Sequence, residues 1–308
     1  MVATPSRRAR RIRLRLRRVQ PEERVAYEAQ VRNRQVALAG AAGVLVMVAV
    51  LVQLPGAHVK VNEQTLGLIT EHKRFAIDVV GSVLSALGSL ALGWTLAYLF
   101  GAARARDPRV KPAVMGQVSI AAGVIAAVAG IASAIASGHA GDEFVSHGSQ
   151  TWPEASALLH KAWVIVPEIA VYLGALLIAV ALVLVSLSAM RVGLLPRFMG
   201  YLGIIAGILT IIPLVPIPIV EAYWLVAVAY LLSGRWPSGM PPAWTSGTAV
   251  PWPSSQKTRA ERAERARAGG RGSRGKRAPE PLPQAAGAAP TAATTRSSTP
   301  KRKRKRRK

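Results

Sequence analysis

The chain has 308 residues, with 40 Lys and Arg against 15 Asp and Glu, a net charge of +25, 51% hydrophobic residues and no cysteine. The absence of cysteine excludes disulfides, thiolate metal sites and cysteine nucleophiles. Charge and apolarity are also segregated: residues 1–35 carry +8, residues 36–234 carry +1, and residues 235–308 carry +16. The apolar residues fall in long runs within the nearly neutral middle, so the composition is that of a membrane protein with two basic tails and not of two soluble domains.

The leader contains RIRLRLRR at Arg11–Arg18 and continues as PEERVAYEAQVRNRQ. Pro21, Glu22 and Glu23 form a helix-start signal, since proline and acids suit the unpaired amides and dipole of a first turn. A basic helix here is expected to lie on an anionic inner leaflet, at about 1 kcal/mol per well-placed cation. The first apolar run begins after 35 residues and carries no good cleavage pattern, so it is read as a retained span.

A hydrocarbon core of about 30 Å needs about 20 helical residues. Four runs meet this: Val36–Leu54, Ile77–Phe100, Val114–Ala136 and Ala162–Ser188. The next stretch, Phe198–Gly234, is broken by Pro213, Pro216 and Pro218, which predicts two short helices. The fold class is therefore an all-α membrane protein, either a bundle of six transmembrane helices or four spans plus a re-entrant hairpin. Flanking Lys and Arg set the orientation. One set of flanks holds ten, from Arg24 to Arg235, and the opposite set holds four: Lys60, Lys73, Arg74 and Lys161. The first set is expected on the cytoplasmic side of a bacterial plasma membrane, with both termini there. The outer loops then hold all five histidines, His58, His72, His139, His147 and His160, together with Glu63, Glu71, Asp142, Glu143 and Glu154.

Helices in lipid associate through small residues that permit close backbone approach. Gly116, Gly123 and Gly130 recur every seven residues in the third span, Gly81, Ser85, Ser89 and Gly93 every four in the second, and Gly203 and Gly207 form a GxxxG in the fifth. These faces either pack within one chain or form a homodimer seam.

Ionisable residues at membrane depth are candidates for function. Asp78 falls at the outer interface as a capping or loop-facing carboxylate, and Glu168, with Tyr172 at i+4, falls near the same boundary. Glu221, followed by Tyr223 and Trp224, is the carboxylate that both topologies bury. Glu221, Glu168, Tyr172 and Tyr223 are thus the candidate substrate- or proton-binding residues. His139, Asp142, Glu143 and His147 form the nearest approach to a metal cluster, in a stretch read as a surface loop; no HxxxH spacing occurs, and no metal or cofactor is expected. Phosphate-binding, dinucleotide, nucleophile-elbow and zinc-protease motifs are absent, so no catalytic residue is assigned.

After the last run, residues 235–256 are rich in Trp and Pro, with Trp236, Trp244 and Trp252 every eight residues, and are expected to follow the headgroup region. The PEER leader, LLPRFMGYLGIIAGIL, and the RWP, PPAW and PWP pieces together resemble a group of uncharacterised bacterial multi-pass membrane proteins. The resemblance covers roughly residues 21–256 and implies no assigned activity. Residues 257–308 have the composition of a disordered polybasic tail, ending in Lys301, Arg302, Lys303, Arg304, Lys305, Arg306, Arg307 and Lys308. Such a run binds anionic lipid headgroups, nucleic acid or ribosomes through counterion release. The expectation is a non-enzymatic scaffold embedded in the lipid bilayer and recruiting an anionic partner, with a small-solute or proton-coupled transporter centred on Glu221 as the alternative.

Overall fold

The computed structural model describes residues 20–53, 64–110, 113–212, 218–237, 239–252 and Glu264. The chain divides into two units, residues 1–252 and 253–308. The helical bundle belongs to the first; the run Lys301–Lys308 lies outside the described residues. The elements are α1 (Pro21–Gln53), α2 (Gln64–Arg106), α3 (Met115–Ser146), α4 (Trp152–Leu159), α5 (Ala162–Arg191), α6 (Arg197–Ile211), α7 (Ile219–Leu232) and α8 (Pro242–Ser246), with no strand among the described residues.

Four helices, α1, α2, α3 and α5, have 33, 43, 32 and 30 residues and are apolar enough to cross a membrane. At 1.5 Å per residue they measure about 50, 64, 48 and 45 Å, each longer than a hydrocarbon core of about 30 Å. The protein is a multi-pass helical membrane protein. Its outward faces match that environment: Val80, Val83, Leu87, Val124, Val128, Val166, Ile169 and Leu176 are all exposed, more apolar surface than water would tolerate.

The long helices overrun the apolar segments from which they were predicted. Residues 64–76 and 137–146 contain no proline, and their backbones continue in α-helix past the end of the hydrophobic pattern. The segment from His139 to Ser146, expected as a loop, is the last turns of α3. Likewise α1 runs unbroken from Pro21 into the first span, so its basic stem continues the span axis and does not form a separate helix. The overrunning ends meet α4 around a small second core of Leu68, Ala140, Phe144, Ala155, Leu158 and Val164.

Close backbone approach joins the spans. A side chain at Gly123 would place its Cβ 2.6 Å from the Ser89 carbonyl oxygen, and one at Gly93 would lie 2.6 Å from the Ser119 oxygen, so α2 and α3 touch backbone to backbone. Gly174 of α5 meets Ala126 of α3, and Gly43 of α1 meets Ala222 and Leu225 of α7. The two short helices, of 15 and 14 residues, extend only about 22 and 21 Å. Gly200, Gly203 and Gly207 of α6 pack on Met190, Ser186 and Ala179 of α5 in turn. Since Ala179 is near the middle of Ala162–Arg191, α6 lies along only the half of α5 nearer Arg191.

The main core gathers Leu92, Leu96 and Leu99 of α2, Leu182 and Val185 of α5, Trp224, Leu225 and Val228 of α7, and Leu194, Leu195 and Trp244 beyond the spans. It lies toward the end of the bundle that carries Arg106, Arg191 and Arg235, the basic end. The histidine-bearing end is the distal end.

Candidate functional site

At the basic end, the chain after α7 folds back on the bundle. Helix α5 terminates in a Schellman motif: Gly193 has φ +82°, Leu194 N–H donates to Ala189 O at 2.8 Å, and Gly193 N–H donates to Met190 O at 3.2 Å. The turn leaves the carbonyls of Leu194 and Leu195 free. Trp244 Nε1–H donates to the first at 2.9 Å and Trp252 Nε1–H to the second at 2.8 Å. Val250 N–H donates to Val192 O at 3.1 Å, and the Val250 carbonyl sits so close to Gly193 that a Cβ there would collide. Two of the three tryptophans expected among the headgroups are therefore anchors into the protein: Trp244 is buried and Trp252 half-buried. An indole N–H in an apolar setting needs an acceptor, and a helix turn with unused carbonyls supplies it.

Arg106, the last residue of α2, is fully enclosed. Its Nη1 and Nη2 form a fork with Glu28 Oε1 and Oε2 at 2.7 and 2.6 Å, its Nε donates to Ala243 O at 2.8 Å, and its guanidinium lies 5.0 Å from the Trp244 ring centroid. Tyr98 stacks on the same indole at 6.0 Å. Gly247, at φ +66°, ends α8 against Pro21, and Arg24 Nη1 donates to its carbonyl at 2.8 Å. The result is a plate made of the α1 stem, the end of α2, the α5–α6 turn and residues 235–252. Around it Arg34, Arg104, Arg109, Arg191 and Arg235 are exposed.

No protein-family model, curated protein or solved structure matches the chain. Of the pieces noted in the sequence, PEER, the start of LLPRFMGYLGIIAGIL, PPAW and Trp252 touch one another in the plate.

The candidate residues at membrane depth do not converge. Glu221 Oε2 lies 3.5 Å from Thr210 Oγ1 between α7 and α6, and that hydroxyl also donates to Ala206 O at 2.9 Å. Tyr223, two residues on, is exposed. Glu168 and Tyr172 lie on the outward face of α5, Tyr172 with 67% of its surface exposed. Of the packing glycines, Gly123, Gly203 and Gly207 are in close contact, Gly116 has Phe100 at ordinary distance, and Gly130 has nothing within 4 Å.

Gly130 has space because it borders a cavity of about 500 Å³ in the distal half, between α2 and α3 and bounded also by Gln53 of α1 and Val171 of α5. Helices α2 and α3 touch below it at Gly93 and Gly123 and above it where Gly138 meets Phe75 and Gly141 meets Leu68 and His72. Between those contacts they bow apart. From α2 the wall is Thr70, Glu71, Arg74, Asp78, Ser82 and Ser85; from α3 it is Gly130, Ser133, Ala134 and Ser137. Asp78, expected as a capping or loop-facing group, is instead mid-helix, with its Oδ1 3.6 Å from Arg74 Nη2. Glu71 lies 29 residues before Phe100, about 44 Å along the helix and beyond the hydrocarbon. Burial pushes its carboxyl above the ordinary value, Asp78 adds to this, and Arg74 opposes it.

Hydropathy alone leaves Glu71 and Arg74 as loop residues. The available signal is periodic: positions 67, 70, 71, 74, 78, 82 and 85 are polar or small at three- and four-residue steps, which is one helical face. The distal histidines disperse. His72 Nδ1 is 3.4 Å from Asp142 Oδ1, His139 packs on Trp163, and His160 Nδ1 is 2.6 Å from Ser156 O. His58 lies outside the described residues, and among those described no three His, Asp or Glu are grouped to hold a metal ion.

Proposed function

We propose that this protein is a non-enzymatic membrane scaffold whose basic end faces the bacterial cytoplasm and recruits an anionic, phosphate-bearing partner. The observation that carries this reading is the set of exposed arginines, Arg34, Arg104, Arg109, Arg191 and Arg235, at the basic end with the plate. Trp252 is pinned to that plate, and the sequence continues from it into the polybasic tail. Exposed cations near an anionic leaflet contribute about 1 kcal/mol each, so the plate's arginines and, by its composition, the tail each favour phosphate groups on headgroups or RNA. The orientation is supported by the ten-to-four excess of Lys and Arg at this end.

The test compares the full chain with a chain lacking residues 257–308, both in nanodiscs of neutral lipid. Binding to vesicles containing phosphatidylglycerol, and separately to ribosomes, is followed against salt. Recruitment through the tail requires at least about a tenfold loss of binding in the truncated protein and a weaker salt dependence. Equal binding by the two proteins removes the tail from the reading, and no salt-sensitive binding of the full chain to either probe sinks it.

A further inference from the structure

The distal cavity lies at the opposite end of the bundle from the plate, and nothing in the scaffold reading uses it. Its walls carry an ordered set of charges. Arg74 directs Nη2 to Val52 O at 3.1 Å and toward Asp78 at 3.6 Å, while its Nε is buried with no partner among the described residues. One turn earlier, Glu71 faces the same space and makes no hydrogen bond or ion pair among the described residues. Glu71 and Arg74 stand three residues apart on one face, which puts their Cβ atoms about 5–6 Å apart. Ser85, Ser133 and Ser137 add hydroxyls to the walls.

We propose that this cavity binds a small zwitterion carrying a primary ammonium and a carboxylate, the ammonium held by Glu71 and the carboxylate by Nε–H of Arg74. The alternatives leave a charge unmet. A simple cation satisfies Glu71 but meets the Arg74 guanidinium with no acceptor to offer it; a simple acid satisfies Arg74 but is repelled by Glu71 and Asp78. A buried donor without an acceptor is destabilising, and the zwitterion removes that cost while neutralising the carboxylate. A quaternary ammonium is disfavoured because such groups are held by aromatic faces, and among the described residues no aromatic side chain lines this wall. A volume of about 500 Å³ is within the range of small-molecule sites, and the absence of backbone contact at Gly130 keeps the floor open.

The chain contains no cysteine, so a single Ser133→Cys reports on the cavity without background. In the purified full-length protein, the rate at which a thiosulfonate reagent modifies that cysteine is measured with glycine, β-alanine or γ-aminobutyrate present, and with propylamine or propionate as single-charge controls. The expected result is that at least one amino acid slows modification, by about tenfold at ten times its dissociation constant, while the amine and the acid do not. Adding Glu71→Gln or Arg74→Gln should each remove the protection while leaving a single melting transition. Protection by no amino acid, equal protection by propylamine, or protection that survives both substitutions overturns the proposal. If either substitution prevents folding, the comparison of zwitterion, amine and acid on Ser133→Cys alone still decides it.

Discussion

Arg106 shows how one residue can be both costly and stabilising. Removing a guanidinium from water is expensive, and the fork to Glu28, the Ala243 carbonyl and the Trp244 face offset that cost only when all are present. Deleting one partner leaves the other charge buried and unmet, so Arg106→Ala is expected to cost about 3–5 kcal/mol, read as a lower midpoint of thermal unfolding in detergent. Replacing Glu28 and Arg106 together by Leu and Met should recover most of that loss; a double variant as unstable as the single one would assign the effect to lost packing. Glu71 carries a pH-dependent cost. Its carboxyl is raised by folding, so its contribution is intact below the ordinary carboxylate range, near 4.5, and is lost as pH rises through the folded value. The neutral variant Glu71→Gln has no such loss. Its melting advantage over the parent should therefore grow from pH 4.5 upward, and an advantage independent of pH would contradict the assignment.

At the level of helices, one face of α3 does two jobs. Its inner glycine, Gly123, presses on the α2 backbone, whereas Gly130, two turns on, faces open space. Gly123→Val should cost about 1–3 kcal/mol through overpacking, because carbonyl oxygens cannot rotate aside; Gly130→Ala should leave the melting midpoint unchanged. Equal effects would mean that α2 and α3 do not bow apart. The sequence repeat of seven could not distinguish the two glycines, since spacing reports which face a residue is on and not what stands opposite. The four long spans and the proline-split pair were legible, because a bilayer demands apolar runs of a set length and proline breaks them. The extra turns of α2 and α3 were not, since hydropathy reports contact with lipid and a polar stretch without proline is equally content in helix. The plate was hidden for a different reason. Trp244 and Trp252 find their acceptors about fifty residues away, and an indole spacing of eight says nothing about which carbonyls lie within reach.

For the molecule as a whole, the depth of the α6–α7 pair is the topological question, and the packing of Gly207 on Ala179 gives an expectation. The helical part of the pair stops alongside the middle of α5. A cysteine placed at Ile219 should resist a membrane-impermeant reagent applied from the histidine side, while one at Ser146 should react. Labelling at 219 as fast as at 146 would show that the pair crosses fully. The convergence of separate chain segments on the plate also imposes an order in time. Arg106 and Trp244 are 138 residues apart, so at about 5–20 residues per second the arginine is made roughly 7–28 s before the indole that covers it. During that interval the Glu28 carboxylate can already join it, but the indole cannot. The basic end is thus completed only after every helix of the bundle has been made, and its closure records that synthesis has passed α7.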